Sequence, residues 1–146
     1  MERKMALTLN QLLFRTFHEK DNMLQSVREE LGLGRGQPRV LTYLLSQGSG
    51  SQNDIALYFG IDPAAVSRMT EILRKNGFLT RRTAEDCRRS NVLELTEKGR
   101  KAAQSWISSC ERVERKMLKG FSNDETEMLK SMLQRLLDNA VKEDEE

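Results

Sequence analysis

SQNDIALYFGIDPAAVSRMTEILRKNGFLTRRTAEDCRRSNVLELT, residues 51–96, holds two helical patterns separated by a tight turn, then two short extended patterns around a basic loop. Ser51 opens the first helix with Asp54 three residues on, so that a hydroxyl can accept from a backbone N–H the helix leaves unpaired. Ile55, Ala56 and Phe59 follow at helical spacing, and Gly60 can take positive φ where the helix ends. Asp62 is placed to cap the second helix, with Pro63 at its first position, where a missing N–H costs nothing and φ is already set. Val66, Met69, Ile72 and Leu73 form the expected inward stripe. The other face carries Ala64, Ala65, Ser67, Arg68, Thr70, Glu71, Arg74 and Lys75. Small, polar and basic, it suits a helix lying in a DNA major groove about 12 Å wide.

Asn76-Gly77 ends this second helix, and Phe78 to Arg82 reads as a strand after a C-cap glycine. A charged loop from Ala84 to Ser90 gives way to a second extended run, Asn91 to Thr96, in which Leu93 and Leu95 alternate with Glu94. The hairpin is expected to form a wing. From Arg68 to Lys101 there are ten Lys or Arg against five Asp or Glu, whereas the whole chain carries only +2, so positive charge is concentrated here. Arg88 and Arg89 fall at the hairpin tip, where at least one is expected to reach the minor groove or a phosphate. Arg81 and Arg82 fall at its base, suited either to a phosphate contact or to an intramolecular ion pair.

The segment DPAAVSRMTEILRKNGFLTRR, the wing residues CRRSN and the run LELTEKG together resemble the MarR family (multiple antibiotic resistance regulators) of winged helix-turn-helix transcription factors. The similarity covers nearly the whole chain, because helical arms flank the motif on both sides as they do in that family. It implies a homodimer that binds pseudo-palindromic operator DNA, often released by a small phenolic or other aromatic ligand or by oxidation. The family wing commonly carries Asp-x-Arg, the aspartate bracing an arginine that enters the minor groove. Here Cys87 takes the aspartate's place before Arg88-Arg89, with Asp86 one residue early. Either the loop has one extra residue or a thiol replaces the carboxylate, and either arginine can be the one that enters the groove.

A chain of 146 residues suffices for one domain-sized core, and 32% charged residues with few aromatics fit a helical protein with a large solvated surface. No run of about 18 apolar residues exists, so no membrane partner is expected. The N-terminal stretch lacks the apolar segment and cleavage site of a secretory signal, and a cytoplasmic location is expected. Two cysteines, Cys87 and Cys110, have no metal or redox spacing, and with one histidine a zinc site of ordinary ligand type is not expected. No cofactor is expected. Cys87, set among arginines that can lower its thiol pKa, is the candidate for redox sensing; Cys110, beside Ile107 and Val113, is expected in the core.

Flanking the winged unit, a helix from about Ala6 to Leu31 carries the stripe Leu9, Leu12, Leu13, Phe17, Met23, Leu24, Val27 and Leu31. The glycines at 32, 34 and 36 then break it; no strand precedes them, as a dinucleotide-binding fingerprint would require. A scaffold helix opens at Pro38 with Val40, Leu41, Leu44 and Leu45 inward. After the wing, Thr96 caps a long helix through Trp106 and Cys110 to Gly120, and Ser122 with Glu125 caps a last one whose stripe is Met128, Leu129, Met132, Leu133, Leu136 and Leu137. These terminal stripes have no local partner large enough to cover them, so they are expected to pack together and against a second chain.

The expected architecture is mainly α with a small β-hairpin wing: a single 1–146 domain with a winged helix-turn-helix lobe at 36–100 and helical dimerisation regions at 1–35 and 101–146. Two recognition helices related by a two-fold axis fit two half-sites about 10 bp apart. His18, Tyr43 and Trp106 are candidates to edge an effector pocket between the dimer arms and the winged unit. The expected function is that of a dimeric, sequence-specific DNA-binding regulator, a repressor released by a small effector. Its rivals are a winged-helix interaction module without DNA binding and a thiol-based redox sensor. An enzyme is not expected, because no nucleophile elbow, P-loop or zinc-protease motif occurs.

Overall fold

The computed structural model describes residues 5–83 and 91–142. They form α1 (Leu9–Leu31), α2 (Gln37–Gln47), α3 (Gln52–Phe59), α4 (Pro63–Lys75), β1 (Leu79–Thr83), β2 (Asn91–Leu95), α5 (Glu97–Met117) and α6 (Asn123–Val141). This is the expected class, helices with one small antiparallel hairpin. The chain divides into two units, 1–113 and 114–146.

In the larger unit, the helix-turn-helix forms as its local chemistry dictates. Ser51 and Asp54 cap α3 reciprocally, and Gly60 closes it at φ 63°, a left-handed conformation that a side chain would strain. The Asp62 carboxylate accepts from the Ala64 N–H at 3.2 Å, and Pro63 starts α4. Val40, Leu41 and Leu44 of α2, Ile55 of α3, Val66 and Leu73 of α4, Phe78, Leu79 of β1, Leu93 of β2 and Ala103 of α5 close into one core. Each large side chain so buried contributes about 1.5–3 kcal/mol of transfer free energy.

The stripe of α4 differs from the expected one in one member. Val66, Thr70 and Leu73 are buried, whereas Ile72 is 47% exposed. From Val66 the helical period falls on 69, 70 and 73; Ile72 lies about 100° around the helix from Leu73. A threonine takes the inward place because its polar group is satisfied there. The Thr70 hydroxyl accepts from Gln52 Nε2 at 3.0 Å and donates to the Ser67 carbonyl at 3.1 Å, tying α3 to α4.

β1 and β2 pair from Leu79 opposite Leu95 to Thr83 opposite Asn91. A third short element joins them. Gly50 and Leu93 exchange both backbone hydrogen bonds, at 3.1 and 2.8 Å, so the wing is anchored to the segment leading into α3. In the sequence this glycine reads only as part of a loop.

α1 starts at Leu9 rather than near Ala6. Thr8 and Gln11 form a capping box, with Gln11 Oε1 accepting from the Thr8 N–H at 2.9 Å. The apolar stripe of α1 then divides. Leu24 is buried, while Leu9, Leu12, Leu13 and Phe17, with Phe14 beside them, remain exposed. Arg28 is buried on the inner face, its guanidinium 2.8 Å from Asp21 and over the Trp106 ring.

In the smaller unit, Ser122 and Glu125 cap α6 reciprocally. The Ser122 N–H, and then its hydroxyl, hold the Glu125 carboxyl below the ordinary carboxylate value. None of the residues of α6 is buried. Its stripe, Met128, Leu129, Met132, Leu133, Leu136 and Leu137, is between 37% and 60% exposed, so its apolar face stays open to solvent.

Candidate nucleic-acid interface

The outward face of α4 begins at a helix N-terminus, where unpaired N–H groups carry partial positive charge that favours anions. Ala64, Ser67 and Arg68 are exposed there and Ala65 is half-buried. Among the described residues no ion pair holds Arg68. Small side chains at 64 and 65 let the backbone approach a groove closely, and the adjacent hydroxyl and guanidinium supply groups that can bond to base edges or phosphates.

Farther along the helix the charges are organised internally. Arg74 grips Glu71 with two bonds, Nε to Oε2 at 3.0 Å and Nη2 to Oε1 at 2.7 Å, and Arg81 of β1 lies 3.8 Å from the same carboxylate. The Arg74 hydrogen bond is the first cause of a lowered Glu71 pKa; desolvation opposes it, and the charges of Arg74, Lys75 and Arg81 add to it. The Arg74 pKa is raised by the same bond. Because the folded-state carboxyl sits below its ordinary value, the pairing is fully present above the ordinary carboxylate range and is lost only as pH falls through the lowered value. Glu71 is thus a carboxylate already engaged by Arg74, with Arg81 beside it. Glu71→Gln is expected to tighten binding to unrelated duplex and steepen its log–log salt dependence by about 0.9 for each further phosphate that a released arginine neutralises. Fluorescence anisotropy across a salt series measures this; an unchanged slope contradicts it.

Thr70 is corrected. It is fully buried between α3 and α4, and its hydroxyl is already used in both directions, so it braces the recognition helix from behind and does not face a groove. Of the two roles open to Arg82, the ion pair is the one found: its guanidinium reaches Glu94 on the neighbouring strand at 2.8 Å. Arg81 instead faces Glu71 across the junction of helix and wing. Arg88, Arg89 and Cys87 lie outside the described residues.

The three residues expected at an effector pocket do not come together. Trp106 lines a cavity of about 240 Å³ with Phe17, Asp21 and Leu24 of α1, Arg35 and Arg39 near the start of α2, and Cys110 of α5. His18 is not part of its wall and stacks on Phe14, with ring centroids 6.0 Å apart. Tyr43 belongs to an aromatic group with Tyr58 and Phe59, at centroid distances of 5.1 and 6.2 Å. Cys110, expected in the core, is half-buried at the cavity wall. Helical period alone carries the missed signal: Phe17, Asp21, Leu24 and Arg28 share one face of α1, and Trp106 and Cys110 share one face of α5.

A helix-turn-helix with a small, basic outer face, followed by an arginine-bearing hairpin tied to Gly50, defines a winged helix-turn-helix, the class of DNA-binding transcriptional regulators. The family model for the MarR family matches residues 33–90. The HTH-type transcriptional regulator YfiV of Bacillus subtilis is 30% identical over 117 residues, covering 78% of this chain and 73% of the relative. YdgJ, another regulator of that type from Bacillus subtilis, is 31% identical over 108 residues, covering 74% of this chain and 66% of its own length. Among solved structures, a MarR family regulator from Listeria monocytogenes complexed with 26mer DNA superposes with a TM-score of 0.83 at 24% identity, covering 92% of this chain and 89% of that one. MepR of S. aureus, in a DNA complex, superposes with a TM-score of 0.84 at 24% identity, covering 92% and 99%. The chain belongs to the MarR family. Its relatives and its fold are those of transcriptional regulators, not of enzymes.

Proposed function

We propose that the protein is a cytoplasmic homodimer whose two α4 helices read the half-sites of a pseudo-palindromic operator, and that it acts as a repressor. The observation that carries this reading is the exposed N-terminal half of α4, where Ala64, Ala65 and Ser67 leave room for a groove and Arg68 is available to it. DNA in the complexes of the Listeria regulator and of MepR supports the choice of partner. Phosphate contacts supply most of the affinity and the face from Ala64 to Arg68 supplies the sequence preference, while Glu71 holds Arg74 and Arg81 back beside that face. Arg88 and Arg89, by their place between β1 and β2 in sequence, extend these contacts to the minor groove. The exposed stripes of α1 and α6 join the two chains, in keeping with dimerisation regions on either side of a 36–100 reading lobe.

The effector is a small aromatic molecule taken into the cavity at Trp106. Phe17 and Trp106 offer rings to it, and cationic side chains outnumber the single carboxylate, Asp21, in the wall. Because α5 lines this cavity and also leads directly from the wing, occupancy can shift the balance between reading heads that match the operator spacing and heads that do not.

Selection of bound sequences from random duplex, followed by affinity measurements across salt, tests the reading. Arg68→Ala is expected to weaken the selected sequence about tenfold while relaxing preference at one position of each half-site, and the paired change of Arg88 and Arg89 to Ala to weaken all duplexes and flatten the salt slope. Equal losses for Arg68→Ala on every sequence contradict its assignment to base recognition.

A further inference from the structure

Between the recognition helix and the wing lies a turn, Asn76-Gly77-Phe78, whose backbone groups are all accounted for, and in two opposite directions. Its N–H groups point back into α4: Asn76 donates to Ile72 at 3.0 Å, Gly77 to Arg74 at 3.1 Å and Phe78 to Leu73 at 2.9 Å. Its three successive carbonyls point the other way, to the start of α5. Lys98 Nζ donates to the Asn76 carbonyl at 2.7 Å, the Thr96 hydroxyl donates to the Gly77 carbonyl at 2.6 Å, and the Thr96 N–H donates to the Phe78 carbonyl at 3.1 Å. The Lys98 ammonium also stands 4.3 Å from the centroid of the buried Phe78 ring. The last turn of a helix exposes carbonyls and partial negative charge, so a cation on the Asn76 carbonyl is the favoured complement, and its stem packs on the apolar ring beside it. Two of the three bonds are side-chain bonds, made by residues some 20 positions away in sequence. They fix the end of α4 to the helix that leaves the wing rather than merely satisfying a local cap.

We propose that this junction, and Lys98 in particular, sets the tilt of α4 against α5, so that Lys98 is a positioning residue for sequence recognition that does not itself touch DNA. The proposal rests on α4 being the helix that reads DNA. Base-edge hydrogen bonds demand alignment, whereas phosphate attraction tolerates small changes of angle. Loosening the tie therefore lowers discrimination and leaves charge-driven binding as it was.

Full-length wild type, Lys98→Met and Lys98→Arg are compared on the wild type's selected duplex and on unrelated duplex across a salt series. Methionine keeps an apolar stem against Phe78 without a donor, and arginine restores a donating cation. Lys98→Met is expected to reduce the preference for the selected sequence about tenfold, the scale of one impaired base contact, with the salt slope and the affinity for unrelated duplex unchanged and with recovery in Lys98→Arg. Amide hydrogen exchange without DNA is expected to quicken at Asn76 to Phe78 in Lys98→Met, with the melting temperature held. A loss on both duplexes, with a slope smaller by about 0.9, would make Lys98 a phosphate ligand and overturn the proposal. A lowered melting temperature with unchanged preference, or unchanged exchange at the turn, would overturn it as well. A wild type that selects no sequence removes the DNA reading beneath it, an outcome distinct from a wild type that selects while Lys98→Met discriminates equally well.

Discussion

Gly99→Ala is expected to destabilise the protein by roughly 3 kcal/mol, enough to lower its melting temperature by about 10 °C. Gly99 lies in the first turn of α5, buried against the turn that ends α4. A Cβ there would fall deep inside contact distance of the Phe78 carbonyl oxygen and 2.9 Å from the carbonyl carbon. The obstacle is backbone, and that backbone is already committed: the same carbonyl accepts from the Thr96 N–H, while the Thr96 hydroxyl accepts from the Gly99 N–H at 3.1 Å. Moving either strand of chain to admit a methyl group breaks bonds that cap α5 or close the turn. Arg100→Ala, one residue on and exposed, is the control and is expected to change the melting temperature by a degree or two at most. Thermal unfolding followed by circular dichroism separates the two, and a Gly99→Ala protein as stable as the wild type would show that the approach of α5 to this turn is looser than described.

The second large effect concerns α6. Leu133→Lys with Leu136→Lys is expected to leave the protein monomeric and without operator binding, yet still helical. In one chain these leucines are 46% and 40% exposed and no residue of α6 is buried, so lysine removes little packing within the chain. Across a two-fold interface the same two changes count twice. At about 1.5–3 kcal/mol for each side chain withdrawn from water, four such losses raise the dimer dissociation constant by three orders of magnitude or more. Sedimentation equilibrium with far-ultraviolet circular dichroism checks both halves of the expectation. A variant that sediments as the wild type does would move the joining surface away from α6.

Much of the fold was legible because its punctuation is local. Ser51 with Asp54, Asp62-Pro63, Asn76-Gly77 and Ser122 with Glu125 are short-range signals, and each marks a helix boundary found in the structure. Thr8 with Gln11 is a signal of the same kind that the apolar run before it concealed. Pairings distant in sequence were not legible. Nothing in Gly50 announces a bridge to Leu93, and nothing in Lys98 announces a bond to Asn76, because each partner is fixed only when the core brings two elements together. The recognition face shows where residue type misleads. Thr70 is polar and so reads as outward, and Ile72 is apolar and so reads as inward, yet a helix of fixed period turns Thr70 to Gln52 and Ile72 to solvent. At the cavity beside Trp106, aromatic character points to His18 and Tyr43, whereas the face shared by Phe17, Asp21, Leu24 and Arg28 marks the wall.

Most directly at stake is whether two chains present two α4 faces to one duplex. Sedimentation of the protein with a duplex selected from a random pool, paired with a hydroxyl-radical footprint of the same complex, measures it. Two chains on one duplex, with protected segments centred about one helical turn apart, are predicted. One chain per duplex, or protection confined to a single half-site, would contradict it.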